Sequence, residues 1–238
     1  MISATRNRPG EAKNLSVTLI ESPTIPTVGV GEATTLSMGW TLDLAGLDEK
    51  DFIRHCDATF KAAVKFIDWD RAPDGTAGSY YHPFSFPPYL NGYAPAYHVN
   101  TRLFAGYLGE YCKTVGVTPV LDVVVDAERD KQGHVSSLTL ERSGDHPVEF
   151  VIDCSGFRSL ILQQALEEPF VSSQESLPYD RAIPMPVDHV DPDGPLPPFA
   201  TSTGLSAGWS WNVQLWSRRG TGYVYSSAHT SDDEAMAA

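Results

Sequence analysis

An apolar run containing Val17, Leu19 and Ile20 ends in a carboxylate, Glu21, and leads into the glycine-bearing residues 25–35, IPTVGVGEATT. This pairing limits the fold more than any other stretch. In a doubly wound α/β sheet, an acid at the C-terminal edge of a strand is placed to bind the hydroxyls of a nucleotide ribose. Gly29 and Gly31 let the backbone lie flat against a large ligand, and Glu32, Ala33 and Thr34 follow with little side-chain bulk. The plainer reading of Glu21 is a solvated residue at a strand end. A nucleotide site of this kind also needs an earlier strand and a glycine-rich turn about 20 residues upstream, opening a helix whose N-terminus meets the pyrophosphate. Only MISATRNRPGEAKN precedes Leu15, and it holds no such turn. The chain is therefore expected to lack its start.

Periodicity assigns most of the remaining sequence. Asp48 can cap a helix over 48–60, with Glu49 and Asp51 in its first turn and Phe52, Cys56 and Phe60 recurring at four-residue spacing. The following KAAVKFIDW alternates, so a strand is preferred from Lys61 to Trp69. Residues 71–97 are rich in Tyr, Phe and Pro and read as a long loop, of the length that is usually functional. A helix over 100–115 places Leu103, Tyr107, Leu108 and Tyr111 on one face and stops at Gly116. Strands are expected at 117–127 and 135–142 around the DKQG turn, and at 148–153. That last strand runs through Gly156 into an apolar helix over 160–166, a second nucleotide-binding arrangement expected at the far end of the same sheet. Strands at 208–215 and 222–227 would pair through RRGTG, and the final TSDDEAMAA opens a helix that is cut off.

Composition excludes some partners. The 238 residues carry 17 Lys and Arg against 30 Asp and Glu, a formal charge of -13, which repels nucleic acid and anionic lipid. Cys56, Cys112 and Cys154 match no metal spacing or disulfide framework, and their apolar settings predict buried, reduced thiols. No signal peptide and no membrane-length apolar run is visible, which makes a soluble cytoplasmic protein the default.

Two lysines stand out. Lys61 and Lys65 flank an apolar strand, and a lysine among Phe60, Ala63, Phe66 and Trp69 is costly to bury without a task or a partner. Where water is excluded, its ammonium can direct a hydrogen bond at an electrophile or an oxyanion. The alternative is a pair of lysines snorkelling on a solvated face. His82, Pro83 and Phe84 could orient a flat apolar ligand or simply pack a loop onto the body of the protein. The seven histidines show no ligand spacing with cysteine or acid, so no metal is expected.

Taken in order, GVGEAT, FKAAVKFIDW, YYHPF, DCSGFRS, GWSWNV and GYVYSS resemble the flavin-dependent tryptophan halogenase family, with the likeness running from about Leu15 to Glu234. The resemblance implies an α/β, FAD-binding, Rossmann-like flavoprotein monooxygenase fold with an inserted substrate-binding region. It implies an enzyme that uses reduced FAD, oxygen and chloride or bromide to make hypohalous acid. The acid is led through a tunnel, beneath a strap of chain, to a lysine beside an indole-type substrate. A flavin reductase would supply the reduced FAD, and a homodimer is compatible with the resemblance.

By the same likeness Glu21 is the ribose acid, and residues 27–34, with Val28, Val30, Gly31, Glu32, Ala33 and Thr34, form the strap. Asp153, Gly156 and Arg158 match a second FAD-contacting segment. Lys61 matches the essential lysine, Lys65 a structural one, and His82 and Phe84 the indole pocket. Trp209 and Trp211 match the substrate-side tryptophans that separate substrate from flavin, although Gln214 stands where the family's Trp-x-Trp-x-Ile-Pro signature has proline. The implied divisions are a partial FAD segment with the strap over 1–66, an aromatic substrate-side region over 67–98, continuation of the FAD domain over 99–168, and part of the substrate region over 169–238. The glycine-rich FAD turn and the halide and substrate region after Ala238 would lie outside the chain, which is thus expected to be truncated at both ends and to bind FAD weakly by itself. The runner-up is a related monooxygenase that hydroxylates its substrate, or an inactive relative. Retention of Lys61 beside both tryptophans argues against direct oxygen transfer.

Overall fold

The computed structural model describes residues 15–27, 29, 32–71, 75–84 and 96–237, without the side chains of Arg71 and Ala77. In chain order its strands are β1 (Thr18–Glu21), β2 (Glu32–Ala33), β3 (Thr59–Lys61), β4 (Ala63–Arg71), β5 (Ala77–Pro83), β6 (Ala96–Val99) and β7 (Thr118–Leu121). They continue as β8 (Val124–Arg129), β9 (Val135–Leu140), β10 (Gly144–Pro147), β11 (Arg181–Val187), β12 (Phe199–Leu205), β13 (Gly208–Gln214) and β14 (Arg219–Tyr225). The α-helices are α1 (Ser37–Ala45), α2 (Glu49–His55), α3 (Thr101–Thr114) and α4 (Asp232–Ala237). Two compact units emerge, one from residues 27–111 and 174–237, the other from 15–26 and 112–173. Each joins stretches far apart in sequence, whereas the four expected segments were consecutive.

In the unit of 15–26 and 112–173, β1 pairs in parallel with β7, from Thr18 opposite Thr118 to Glu21 opposite Leu121. Strands β8, β9 and β10 form an antiparallel meander. Ile20, Val120, Val148 and Val151 pack on a buried cluster of Ala127, Leu138, Leu140, Leu160 and Ile161. The single strand expected over 117–127 is broken at Asp122. Its buried carboxylate accepts from the backbone N–H groups of Val123, Arg142 and Ser143 and from the Ser143 hydroxyl. The Ser143 hydroxyl above all, with these N–H donors, holds Asp122 down at about 2.

The strand expected over 148–153 is absent, and these residues are not part of the sheet that contains β1. Asp153 instead turns its carboxylate to the N–H groups of Ser155, Ile161 and Leu162. The apolar helix that follows is a π-helix, Leu160–Ala165, entered through Ser159 in a left-handed conformation at φ 43°.

In the unit of 27–111 and 174–237, the main sheet has six strands in the order β11-β14-β13-β12-β4-β5, antiparallel except where β12 runs parallel to β4. A second sheet, β2-β6-β3, has three strands. Helix α2 starts where its cap predicts, with the Asp48 carboxylate accepting from Asp51 N–H at 3.0 Å, but it ends at His55 rather than Phe60. The early stop has a cause, because Asp57 adopts φ 55° and anchors the β13–β14 turn. Its carboxylate accepts from Ser217 N–H at 2.8 Å and from the Ser217 hydroxyl at 2.6 Å, and its backbone carbonyl accepts from Trp216 N–H. That turn is Leu215 to Arg218, not RRGTG, so β14 begins at Arg219.

The alternating strand expected from Lys61 to Trp69 is two strands, separated at Ala62. Ala62 donates to Pro198 C=O at 2.7 Å and accepts from Phe84 N–H at 3.0 Å. Part of the expected loop 71–97 is ladder: β5 pairs with β4, and Phe66 stacks on Tyr80 with ring centroids 5.1 Å apart. Strand β6 is the centre of the small sheet, with Ala96, Tyr97, His98 and Val99 all buried. Strands β10, β11 and β12 had no sequence signal strong enough to be expected.

The core of this unit joins Leu42, Phe52, Cys56, Ala58, Tyr97 and Val99, with Phe104 and Tyr107 of α3 packed against it. Phe104 takes the inward place expected for Leu103, which is exposed. Of the three thiols only Cys56 is buried, and burial pushes it up to about 12; Cys112 is half-buried and Cys154 exposed. Among the described residues no helix is long and apolar enough to cross a membrane.

Phe52 meets Tyr97 and Phe104 edge-on, at 5.1 and 5.5 Å between centroids. Phe52→Ala is expected to lower the urea unfolding free energy by about 4 kcal/mol, and Phe52→Leu by about 1 kcal/mol. Equal losses in the two variants would contradict the edge-packed core.

Candidate active site

The break at Ala62 sends the two lysines to different sheets. Lys61 ends β3 in the small sheet, while Lys65 lies within β4 of the large one, so their four-residue spacing gives them no common face. Lys61 is partly buried; its Nζ donates to Thr34 C=O at 3.4 Å and stands 5.0 Å from the centre of the Phe84 ring. Desolvation holds its ammonium below the ordinary lysine range. Lys65 faces the Tyr81 ring at 5.6 Å, opposite its β5 partner. One lysine is thus held against the strap and the other is a packing contact.

The strap reaches Lys61 through backbone bonds. Thr34 N–H donates to Tyr97 C=O at 2.7 Å, and its hydroxyl accepts from Tyr97 N–H at 2.9 Å. This extends the β2–β6 pairing and presents the Thr34 carbonyl to Lys61. Glu32 is partly buried opposite Val99, and Ala33 lies opposite His98. A Cβ at Gly29 would collide with Thr101 Oγ1 at the start of α3, so glycine permits that close approach. Val28, Val30 and Gly31 lie outside the described residues.

Near the strap, a cavity of about 350 Å³ is lined by Ala33, Val64, Phe66, Ala200, Trp209, Trp211 and neighbours. Val64 pairs with Ala200 and with His82, and Phe66 with Ser202 and Tyr80, so the ladder puts His82 on the cavity face of the sheet. His82 itself is exposed, and Phe84 is partly buried beside Lys61. Trp209 lies 6.3 Å from both Trp69 and Trp211, ring centre to ring centre. Gly222 sits opposite Trp211, and a Cβ there would strike its indole.

His98 was missed because AYHVN carries no catalytic spacing. It is fully buried, with Nδ1 3.1 Å from Thr59 Oγ1, whose hydroxyl donates to Gln214 C=O. Burial first, then the Lys61 charge, lowers His98 to about 4 despite the opposing effect of the hydrogen bonding at Gln214, so the imidazole is neutral at neutral pH.

In the other unit, Glu21 is exposed at the end of β1. Gly156 has φ 65°, with no described atom within 4 Å of where a Cβ would stand, and Arg158 is exposed. An exposed acid, a left-handed glycine and an exposed cation thus belong to this unit. Asp153 spends its oxygens on its own chain, as described above, and so shapes this segment. Among the described residues no group of three or more His, Cys, Asp or Glu could hold a metal ion.

A family model described as tryptophan halogenase matches residues 1–90 and 86–238. The chain belongs to the tryptophan halogenase family. It is 32% identical to the tryptophan 6-halogenase SttH of Streptomyces toxytricini, over 94% of this chain and 54% of that protein. It is 30% identical to the tryptophan 7-halogenase RebH of Lentzea aerocolonigenes, over 92% of this chain and 52% of that one. A crystal structure of a tryptophan halogenase from Shewanella frigidimarina superposes with a TM-score of 0.90 at 33% identity, covering 99% of this chain and 54% of that one. The chain thus spans about half the length of the relatives it matches. Its mixed α/β sheets are consistent with the Rossmann-like flavoprotein fold typical of tryptophan halogenases.

Two outcomes follow from this geometry. Gly222→Ala is expected to cost about 1–3 kcal/mol by overpacking and to shift tryptophan fluorescence, as Trp211 is displaced. An unchanged spectrum and melting curve would show that the ring has room. For His98, the folded pKa of about 4 lies below the usual 6.5, so its contribution is fully present above pH 6.5 and is lost as pH falls toward 4. Between pH 7 and 4.5 the native protein should lose about 2 kcal/mol more urea stability than His98→Gln. Parallel pH profiles would rule this out.

Proposed function

We propose that the protein halogenates tryptophan or a related electron-rich aromatic, with reduced FAD, oxygen and chloride or bromide. Lys61 carries this reading: a lysine with a depressed pKa, held between the strap carbonyl of Thr34 and the Phe84 ring. Bound FAD, reduced by a partner flavin reductase, supplies the oxygen activation that makes halide electrophilic. Glu21, Gly156 and Arg158 would hold it, with Asp153 shaping the segment of the last two, and Glu32, Ala33 and Thr34 are assigned to the strap.

The chain's own groups account for the transfer. A Lys61 N–H donates to the oxygen of hypohalous acid and orients the halogen toward a ring carbon, which takes it as the halogen–oxygen bond breaks and the ring proton leaves with that oxygen as water; or the free amine takes the halogen, releasing water, and exchanges it for the ring proton. Lowering the lysine pKa by burial favours both roles, because a weakly hydrated ammonium donates more strongly and the free amine is more accessible. Apolar lining from Val64, Phe66 and Ala200 keeps water from consuming the oxidant. His82 and Phe84 orient the aromatic substrate, and Trp209 with Trp211 forms the wall on its flavin side.

The test is mass spectrometry of products formed with FAD, a flavin reductase, halide and a panel of indoles. Lys61→Ala is expected to abolish halogenated product while leaving flavin-dependent oxygen consumption intact. Undiminished halogenation by the variant, or hydroxylated product from the unmodified protein, would overturn the assignment.

A further inference from the structure

His98 is buried deeper than any group the proposed chemistry uses, and one of its ring atoms has no partner. The Thr59 hydroxyl hydrogen is committed to Gln214 C=O, so Thr59 Oγ1 must accept from His98, and Nδ1 carries the ring hydrogen. Nε2 is left as a bare lone pair, buried and without a hydrogen-bond partner among the described residues. Buried acceptors of this kind are rare enough to need a reason.

The ladder shows what lies nearby. Thr59 pairs with His98 across β3 and β6, and Lys61 follows two residues later, so all three side chains share one face of the small sheet, with Ala33 on the other flank of His98. Glu32 belongs to the opposite face of β2, paired with Val99. The cation acting on His98 is Lys61.

We propose that His98 is a positioning residue for Lys61: its neutral imidazole offers Nε2 to the ammonium through one water, and the Thr59–Gln214 chain fixes the tautomer that makes this possible. No proton is transferred; one Nζ–H donates to the water, and the water donates to Nε2. Thr34 C=O takes a second, and the third is left for an incoming acceptor. The catalytic consequence rests on the Lys61 reading above, but the contact does not.

The experiment is an NMR titration of the intact chain carrying 13C,15N-lysine, with the Lys61 signal assigned by its loss in Lys61→Arg. His98→Leu removes the acceptor and should lower the Lys61 pKa by about one unit, whereas His98→Gln keeps an acceptor and should hold it within about 0.3 unit. Equal shifts in the two variants, or none in either, overturn the proposal. Should His98→Leu fail to fold, Thr59→Val decides. It releases the tautomer at nearly constant shape and should lower the Lys61 pKa too, and an unmoved titration overturns the proposal. In product assays the loss of aim in His98→Leu should outweigh the lowered pKa and reduce kcat roughly tenfold with KM little changed, and His98→Gln should recover most of it. If the titration shifts as expected while Lys61→Ala still halogenates, the contact stands and the halogenase assignment falls.

Discussion

The peptide at Ala62 is bonded on both sides, to Pro198 through its N–H and to Phe84 through its carbonyl. Most of the candidate site depends on that arrangement. It ends one strand and begins another with no intervening loop, so the chain leaves the small sheet and enters the large one within a single residue. Lys61 stays with the strap and His98, while Lys65 goes to the six-stranded sheet. The bond to Phe84 also fixes the end of β5 beside Lys61, which is how an aromatic ring comes to lie 5.0 Å from its ammonium.

Charge in this region is managed by depletion. Among the described residues Lys61 has lost solvent without gaining a carboxylate partner, and His98 nearby is kept neutral by the same burial. An acid beside Lys61 would stabilise the ammonium and raise its pKa, making it a poorer donor and a scarcer amine. Carbonyl oxygen and a ring face hold the charge in place while satisfying it less completely. Such an environment lowers stability locally and leaves the ammonium with hydrogen-bonding capacity to spare.

Legibility in the sequence followed the range of the forces involved. Asp48 announced α2 because capping is decided within three residues, and the run ending in Glu21 announced β1 because burial alternates over four. The helix end was hidden, since Asp57 answers to Ser217, 160 residues away. Strand 148–153 was misread for a related reason: apolar content fits a strand, but Asp153 commits the segment to capping a π-helix. Lys61 could be singled out from its apolar neighbours, and its family match pointed to the same residue. His98 could not, because its significance comes from Thr59 and Gln214, which only the folded sheets bring to it.

Gly222 shows where control over the cavity resides. Trp211 can lie against its neighbouring strand because that position has no side chain. The width of the chamber is therefore set partly by a backbone atom behind its wall. A search for altered substrate range that varied only the lining residues would treat the indole as a fixed panel. Changing what stands behind it would tilt the panel, and would reshape the chamber without replacing any residue that lines it.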